Sequence, residues 1–138
     1  VLTSDHGLLD ATEDVTHCID ANDVLITCLQ NEPWGDHRAV NFRVTGGQEL
    51  RFEELFYRKF SGSFFLLTID QIDALEVYGP GRLSPMTRSR LGTHIAISTG
   101  HDVLRYPVST KRPRQPMVSY HSGLSANEML VPLVILKT

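Results

Sequence analysis

The sequence is poor in cysteine, in net basic charge and in long apolar runs, and each shortage removes a class of function. Two cysteines, Cys18 and Cys28, lie ten positions apart without a CxxC spacing, which is too little for a disulfide scaffold or a zinc knuckle. Both are expected as buried, reduced thiols, with the cytoplasm as the compartment. A net charge of -3 lacks the basic excess that releases counterions from a nucleic-acid duplex, so duplex binding is not expected. The longest apolar run, MLVPLVIL near the end, has eight positions, whereas a membrane span needs roughly 20. That run is expected in the core and no membrane association is implied. Internal repeats and low-complexity tracts are also lacking.

What is there fits one domain of 138 residues, able to bury roughly two thirds of its unfolded surface. Val1 to Thr3 read as the tail of a buried strand that stops at Asp5-His6-Gly7. Asn22 to Gln30 carries Val24, Leu25, Cys28 and Leu29 at helical spacing, and Pro33 and Gly35 follow it. Arg38 to Val44 alternates as a half-buried strand. Gly46 and Gly47 turn the chain, and Leu50, Phe52, Leu55, Phe56 and Phe60 form one apolar stripe of a helix. Phe64 to Ile69 reads as a strand, and Asp70 as the N-cap of a helix through Ala74 to Tyr78. Residues 38–78 thus read as a small α+β insertion. Pro85 opens a further short helix, followed by strands at His94 to Ser98 and Val103 to Tyr106. STKRPRQP reads as an exposed basic loop.

Near the end, Ser125 and Glu128 have the S-x-x-E spacing of a capping box, and Pro132 favours an extended closing strand. His121 stands on a glycine-containing loop ahead of that strand, as His6 stands behind the first. Asp-His-Gly alone is compatible with a plain turn or with paired metal ligands. His17, His37, His94 and His101 read as ordinary exposed or hydrogen-bonded histidines. Arg88, Arg90, Lys111, Arg112 and Arg114 read as solvated surface or as cations that steer an anionic ester. Trp34 reads as a loop pin or as a surface on which a base stacks.

Two motifs, TSDHG at 3–7 and HSGLSANEMLVPL at 121–133, occur in this order with a spacer of more than a hundred residues that includes RLGTHIAIS. Together they resemble the last third of the alkaline phosphatase superfamily, in particular its type I phosphodiesterase and nucleotide pyrophosphatase-like members. The first matches a Ser-Asp-His-Gly metal loop, and the second a His-Gly-Gly-x-Ser-x-x-Glu-Met-x-Val-Pro-Leu element. Ser122 departs from the first glycine of that element, and Thr93 stands where many relatives carry an acidic residue.

The resemblance implies an α/β fold, the C-terminal portion of an alkaline phosphatase-like protein, with residues 38–78 as an inserted α+β cap. It implies a two-metal phosphoric ester hydrolase acting on a phosphate ester or nucleotide, with two divalent ions about 4 Å apart. Asp5 and His6 are the implied ligands of one ion and His121 of the other. Zinc suits such mixed carboxylate and imidazole donors, and manganese a carboxylate-rich site. The nucleophile and remaining ligands are expected before Val1, so no catalytic residue is assigned here and the 138-residue chain alone is expected to be inactive. It is also expected to self-associate through apolar surface, giving dimers or larger species in light scattering; a monomer at high concentration would count against this. The alternative is a non-catalytic α+β module that binds a ligand or a protein, with Asp-His-Gly serving only as a turn.

Overall fold

The computed structural model describes residues 1–12, 15–106 and 117–137. Its centre is a four-stranded antiparallel sheet in the order β4-β5-β7-β6, made of β4 (Trp34–Asp36), β5 (Ala39–Phe42), β6 (Phe64–Thr68) and β7 (His94–Ser98). The strands of the 38–78 stretch therefore pair with β7, which lies outside it. Every residue of β7 is buried, because both faces of this inner strand are covered. The period-two alternation then sorts its side chains. Ala96 joins a core with Phe42, Phe52, Phe56, Phe60 and Leu66, whereas Ile95 and Ile97 pack with Ile72 on the other side.

Helix α1 (Glu49–Phe60) supplies the first core through Phe52, Phe56 and Phe60, spaced four apart on one face. Burial of each phenyl ring contributes about 2 kcal/mol, so this face anchors the helix. Leu50, expected in the stripe, is 78% exposed. Helix α2 (Ile69–Ala74) is capped by Thr68, not Asp70, because Thr68 and Gln71 form the reciprocal capping box that a T-x-x-Q spacing permits. It ends at Leu75, well before Tyr78, with Glu76 turning the backbone at a positive φ of 52°. Helix α3 (Pro85–Leu91) begins as expected, with Ser84 as N-cap and proline at its first position.

Residues 22–30 do not form an α-helix. A 3-10 helix over Val24–Cys28, capped by Asp23, buries Leu25 and Cys28. Cys28 is buried, but Cys18, at the end of β3 (Thr16–Cys18), is exposed. β3 lies parallel to β8 (Val103–Arg105). The STKRPRQP loop lies outside the described residues.

Two antiparallel ribbons complete the fold. β1 (Leu2–Thr3) pairs with β10 (Leu133–Val134), and β2 (Leu9–Asp10) pairs with β9 (Ser119–Tyr120). A one-turn helix α4 (Ala126–Met129) lies between β9 and β10. The expectation that both ends are core fails here. Leu2 is 69% exposed, and Met129 to Leu136 present an apolar surface in which Leu130, Leu133 and Leu136 are all mostly exposed. Pro132 shortens the final strand to two residues, and both of them are exposed. Among the described residues, no helix is long and apolar enough to cross a membrane.

Candidate functional site

The β2–β9 ribbon explains why the two motifs meet. Leu9 faces Tyr120 in antiparallel register, so the chain just before β2 and the chain just after β9 run alongside each other. Those positions carry His6 and His121. Their imidazoles stack with centroids 4.0 Å apart and planes inclined by 20°.

Helix α4 fixes the first loop against the second. The Gly7 N–H donates to the Glu128 carbonyl at 2.9 Å, and a Cβ at Gly7 would stand 1.8 Å from the Asn127 carbonyl oxygen. Only glycine allows that approach. The expected capping box is present at the start of α4, with Glu128 reaching back to the N–H of Ser125. Yet Glu128 does more than cap. It is 2% exposed and receives the guanidinium of Arg38, itself wholly buried, through Nε to Oε1 at 2.5 Å and Nη2 to Oε2 at 2.8 Å.

Arg38 spends its remaining N–H groups on Ser98 Oγ at 3.1 Å, the Asp102 carbonyl at 2.9 Å and the Gly100 carbonyl at 2.7 Å. All five guanidinium donors are satisfied, which is the condition for burying such a charge. Glu128 also accepts from the Gly123 N–H at 2.8 Å and from Ser125 Oγ at 2.5 Å. Burial pushes its carboxyl up, but the hydrogen bonds from Arg38, Ser125 and Gly123 outweigh this and hold it at about 2. Gly123 is needed as glycine because a Cβ there would fall 2.6 Å from Glu128 Oε2. One buried ion pair thus ties the His121 loop and α4 to the turn before β5 and to the segment after β7.

Within the site the ring nitrogens are differentiated. His6 Nδ1 lies 2.7 Å from the Gly7 carbonyl, which can only accept, so Nδ1 carries the proton and Nε2 the lone pair of the neutral ring. That Nε2 is 3.6 Å from Asp5 Oδ2. The backbone N–H groups of Asp5 and His6 lower the Asp5 carboxyl below its ordinary value, and that side chain is exposed. His121 Nδ1 is 2.8 Å from Ser122 Oγ, leaving Nε2 as the nitrogen not used in that bond. Two imidazoles with occupied Nδ1 atoms and a neighbouring ionised carboxylate are the donor chemistry that divalent zinc accepts. Among the described residues, however, no group of three or more His, Cys, Asp or Glu side chains is arranged to hold a metal. Asp5 adjoins His6 and His6 stacks on His121, so the residues singled out from the sequence are neighbours in space.

The other histidines lie elsewhere. His17 Nε2 bonds Asp102 Oδ1 at 2.6 Å across the β3–β8 pair, His94 is buried against Glu53 and Thr93, and His37 Nδ1 lies 3.0 Å from the Leu104 carbonyl. His101 is exposed. Thr93 accepts from the Val44 N–H and extends the pairing of the two inner strands, β5 and β7. Arg88 is engaged by Asp70 and Asp73, so it is no free anion-steering group. Trp34 is covered by the Arg43 guanidinium, 5.7 Å from the ring centroid, and abuts Gly92, which fits a pin better than a stacking surface.

Arg38 and Asp36 were not legible as site residues. Their partners are Glu128 and Ser122, ninety and eighty-six positions away, and neither pair leaves a local pattern.

The comparisons bear on the fold. No family model matches the chain, and no curated protein matches it by sequence. Among solved structures it is similar to murine ectonucleotide pyrophosphatase/phosphodiesterase 5, with a TM-score of 0.56 and 14% identity. The match covers 94% of this chain and 31% of that one. At this identity the likeness is one of fold: a mixed α/β arrangement of small sheets and helices shared with under a third of a larger protein.

Proposed function

We propose that this chain is the C-terminal portion of an alkaline phosphatase-like, metal-dependent hydrolase of phosphate esters or nucleotides, a phosphodiesterase or nucleotide pyrophosphatase. The observation that carries the reading is the meeting of His6 and His121 at 4.0 Å, from loops more than a hundred residues apart, each with Nδ1 engaged. The fold likeness to an ectonucleotide pyrophosphatase/phosphodiesterase supports it.

In this reading Asp5 and His6 hold one divalent ion and His121 the other, zinc being favoured by the imidazoles and manganese being the second choice. When bound, two such ions would supply charge neutralisation for a transferring phosphoryl group. This chain's own contribution is placement. Gly7 lets the Asp5-His6 loop seat on α4, and the Arg38–Glu128 pair holds the His121 loop opposite it. The nucleophile and remaining ligands belong to the rest of a longer chain, and the exposed β1–β10 ribbon supports self-association when that chain is missing.

Turnover of an aryl phosphodiester with zinc or manganese tests this. The longer protein is expected to be active, and His121→Ala or Asp5→Asn to reduce its kcat/KM by about 100-fold or more, since even groups behind a metal ligand cost 10- to 100-fold. The 138 residues alone are expected to be inactive. Robust turnover by them, or full activity in both variants, overturns the reading.

A further inference from the structure

Ser122 is the residue at which this sequence departs from the Gly-Gly element it otherwise resembles, and its backbone shows why glycine is the easier choice. Its φ is 80°, in the left-handed region where a side chain is strained. A strained serine that persists beside a site invites a reason in its side chain. Ser122 Oγ lies 2.8 Å from Asp36 Oδ2 and 2.8 Å from His121 Nδ1, and so bridges the two.

Hydrogen counting decides the direction of both bonds. An ionised carboxylate can only accept, so the single hydroxyl proton of Ser122 goes to Asp36. The same oxygen can then serve His121 only as an acceptor, and His121 Nδ1 must carry the ring proton. The lone pair of the neutral imidazole is thereby confined to Nε2. His6 reaches the same tautomer by a different route, through the Gly7 carbonyl.

We propose that Ser122 and Asp36 are positioning residues that lock His121 in the Nδ1-protonated tautomer, presenting Nε2 as the donor atom of the stacked histidine pair. The use of Nε2 toward a divalent cation rests on the hydrolase reading, whereas the tautomer itself does not. The arrangement follows the general pattern in which a ligating imidazole is oriented by a partner on its other nitrogen. Here the partner is a hydroxyl whose direction is set in turn by Asp36. Removal of Asp36 frees the Ser122 proton to turn toward Nδ1 and donate, which inverts the preference instead of merely weakening it.

The test is long-range proton–nitrogen NMR of the 15N-labelled 138-residue chain without metal, at a pH where the imidazoles are neutral. In the parent chain the His121 proton is expected on Nδ1. In Ser122→Gly, Ser122→Ala and Asp36→Ala the ratio of Nδ1–H to Nε2–H is expected to fall by about fivefold or more, the population change that one hydrogen bond supports. His6 should keep its Nδ1 proton in all three and serves as the internal control. If the alanine at position 122 fails to fold, Ser122→Gly, which suits a φ of 80°, and Asp36→Ala, at an exposed position, still carry the test. A parent chain with the proton on Nε2, or variants with an unchanged ratio, overturns the proposal. Because no metal or turnover enters the measurement, its failure leaves the hydrolase reading standing, and an inactive longer protein leaves the tautomer lock standing.

Discussion

Arg38→Met is expected to lower the stability of the chain by about 3–5 kcal/mol, since removal of one partner strands the other as an uncompensated buried charge. Few single changes elsewhere in the chain should cost as much. Glu128 would be left 2% exposed with only Gly123 and Ser125 as donors, and the Ser98, Gly100 and Asp102 acceptors would lose their common donor. Urea denaturation reads the loss. The double variant Arg38→Met, Glu128→Leu is expected to recover a large part of it, because an apolar pair of similar volume removes the stranded charge. Equal stability of Arg38→Met and the parent would mean that the pair is not closed in solution.

The same pair sets an acid limit. Glu128 has an ordinary value of 4.5 and is held at about 2 when folded, so the folded state binds this proton less readily than the unfolded one. Its contribution is present in full above about 4.5 and drains away as the pH falls toward 2. The size of the shift corresponds to about 3 kcal/mol, of which the double variant should show none. Denaturation midpoints measured from pH 6 down to pH 3 separate the two chains.

Gly7→Ala is the second large effect. The added methyl would sit 1.8 Å from the Asn127 carbonyl oxygen, which is backbone and cannot rotate aside. The Asp5-His6 loop must lift from α4, at a cost of about 3 kcal/mol, the upper range for forced overpacking. His6 is then expected to leave the face of His121, read as the loss of mutual ring-current shifts in their imidazole proton resonances. Under the proposed hydrolase function, a displacement of about 1 Å at this position is expected to reduce turnover about 100-fold. Gly46→Ala is the matching control. No atom lies within 4 Å of a Cβ there, and a change within about 0.5 kcal/mol is expected. An undisturbed histidine pair in Gly7→Ala would show that the loop does not need this seat.

The elements legible in the sequence are those written in local patterns. Phe52, Phe56 and Phe60 repeat at helical spacing and are buried, Ser84-Pro85 opens a helix, and Ser125 with Glu128 forms the expected capping box. Thr68-x-x-Gln71 was equally readable and corrects the choice of Asp70, since a reciprocal box outranks a lone acidic residue. Of the residues gathered around the histidine pair, Asp5, His6 and His121 were singled out through motif order. Arg38 and Asp36 were not, because a contact between chain-distant residues has no period. Hydrophobicity misled at the ends, where Leu2, Leu130, Leu133 and Leu136 look like core and face outward. Apolar character reports a preference for burial, and the partner that satisfies it need not lie in the same stretch of chain.

The pairing of β1 with β10 sets Leu2 opposite Val134 and Thr3 opposite Leu133, so the first and last strands lie side by side, about a strand spacing of 5 Å apart. A body built this way can be spliced into a loop of a host without stretching either junction, or have its ends joined and be opened at the Gly46-Gly47 turn.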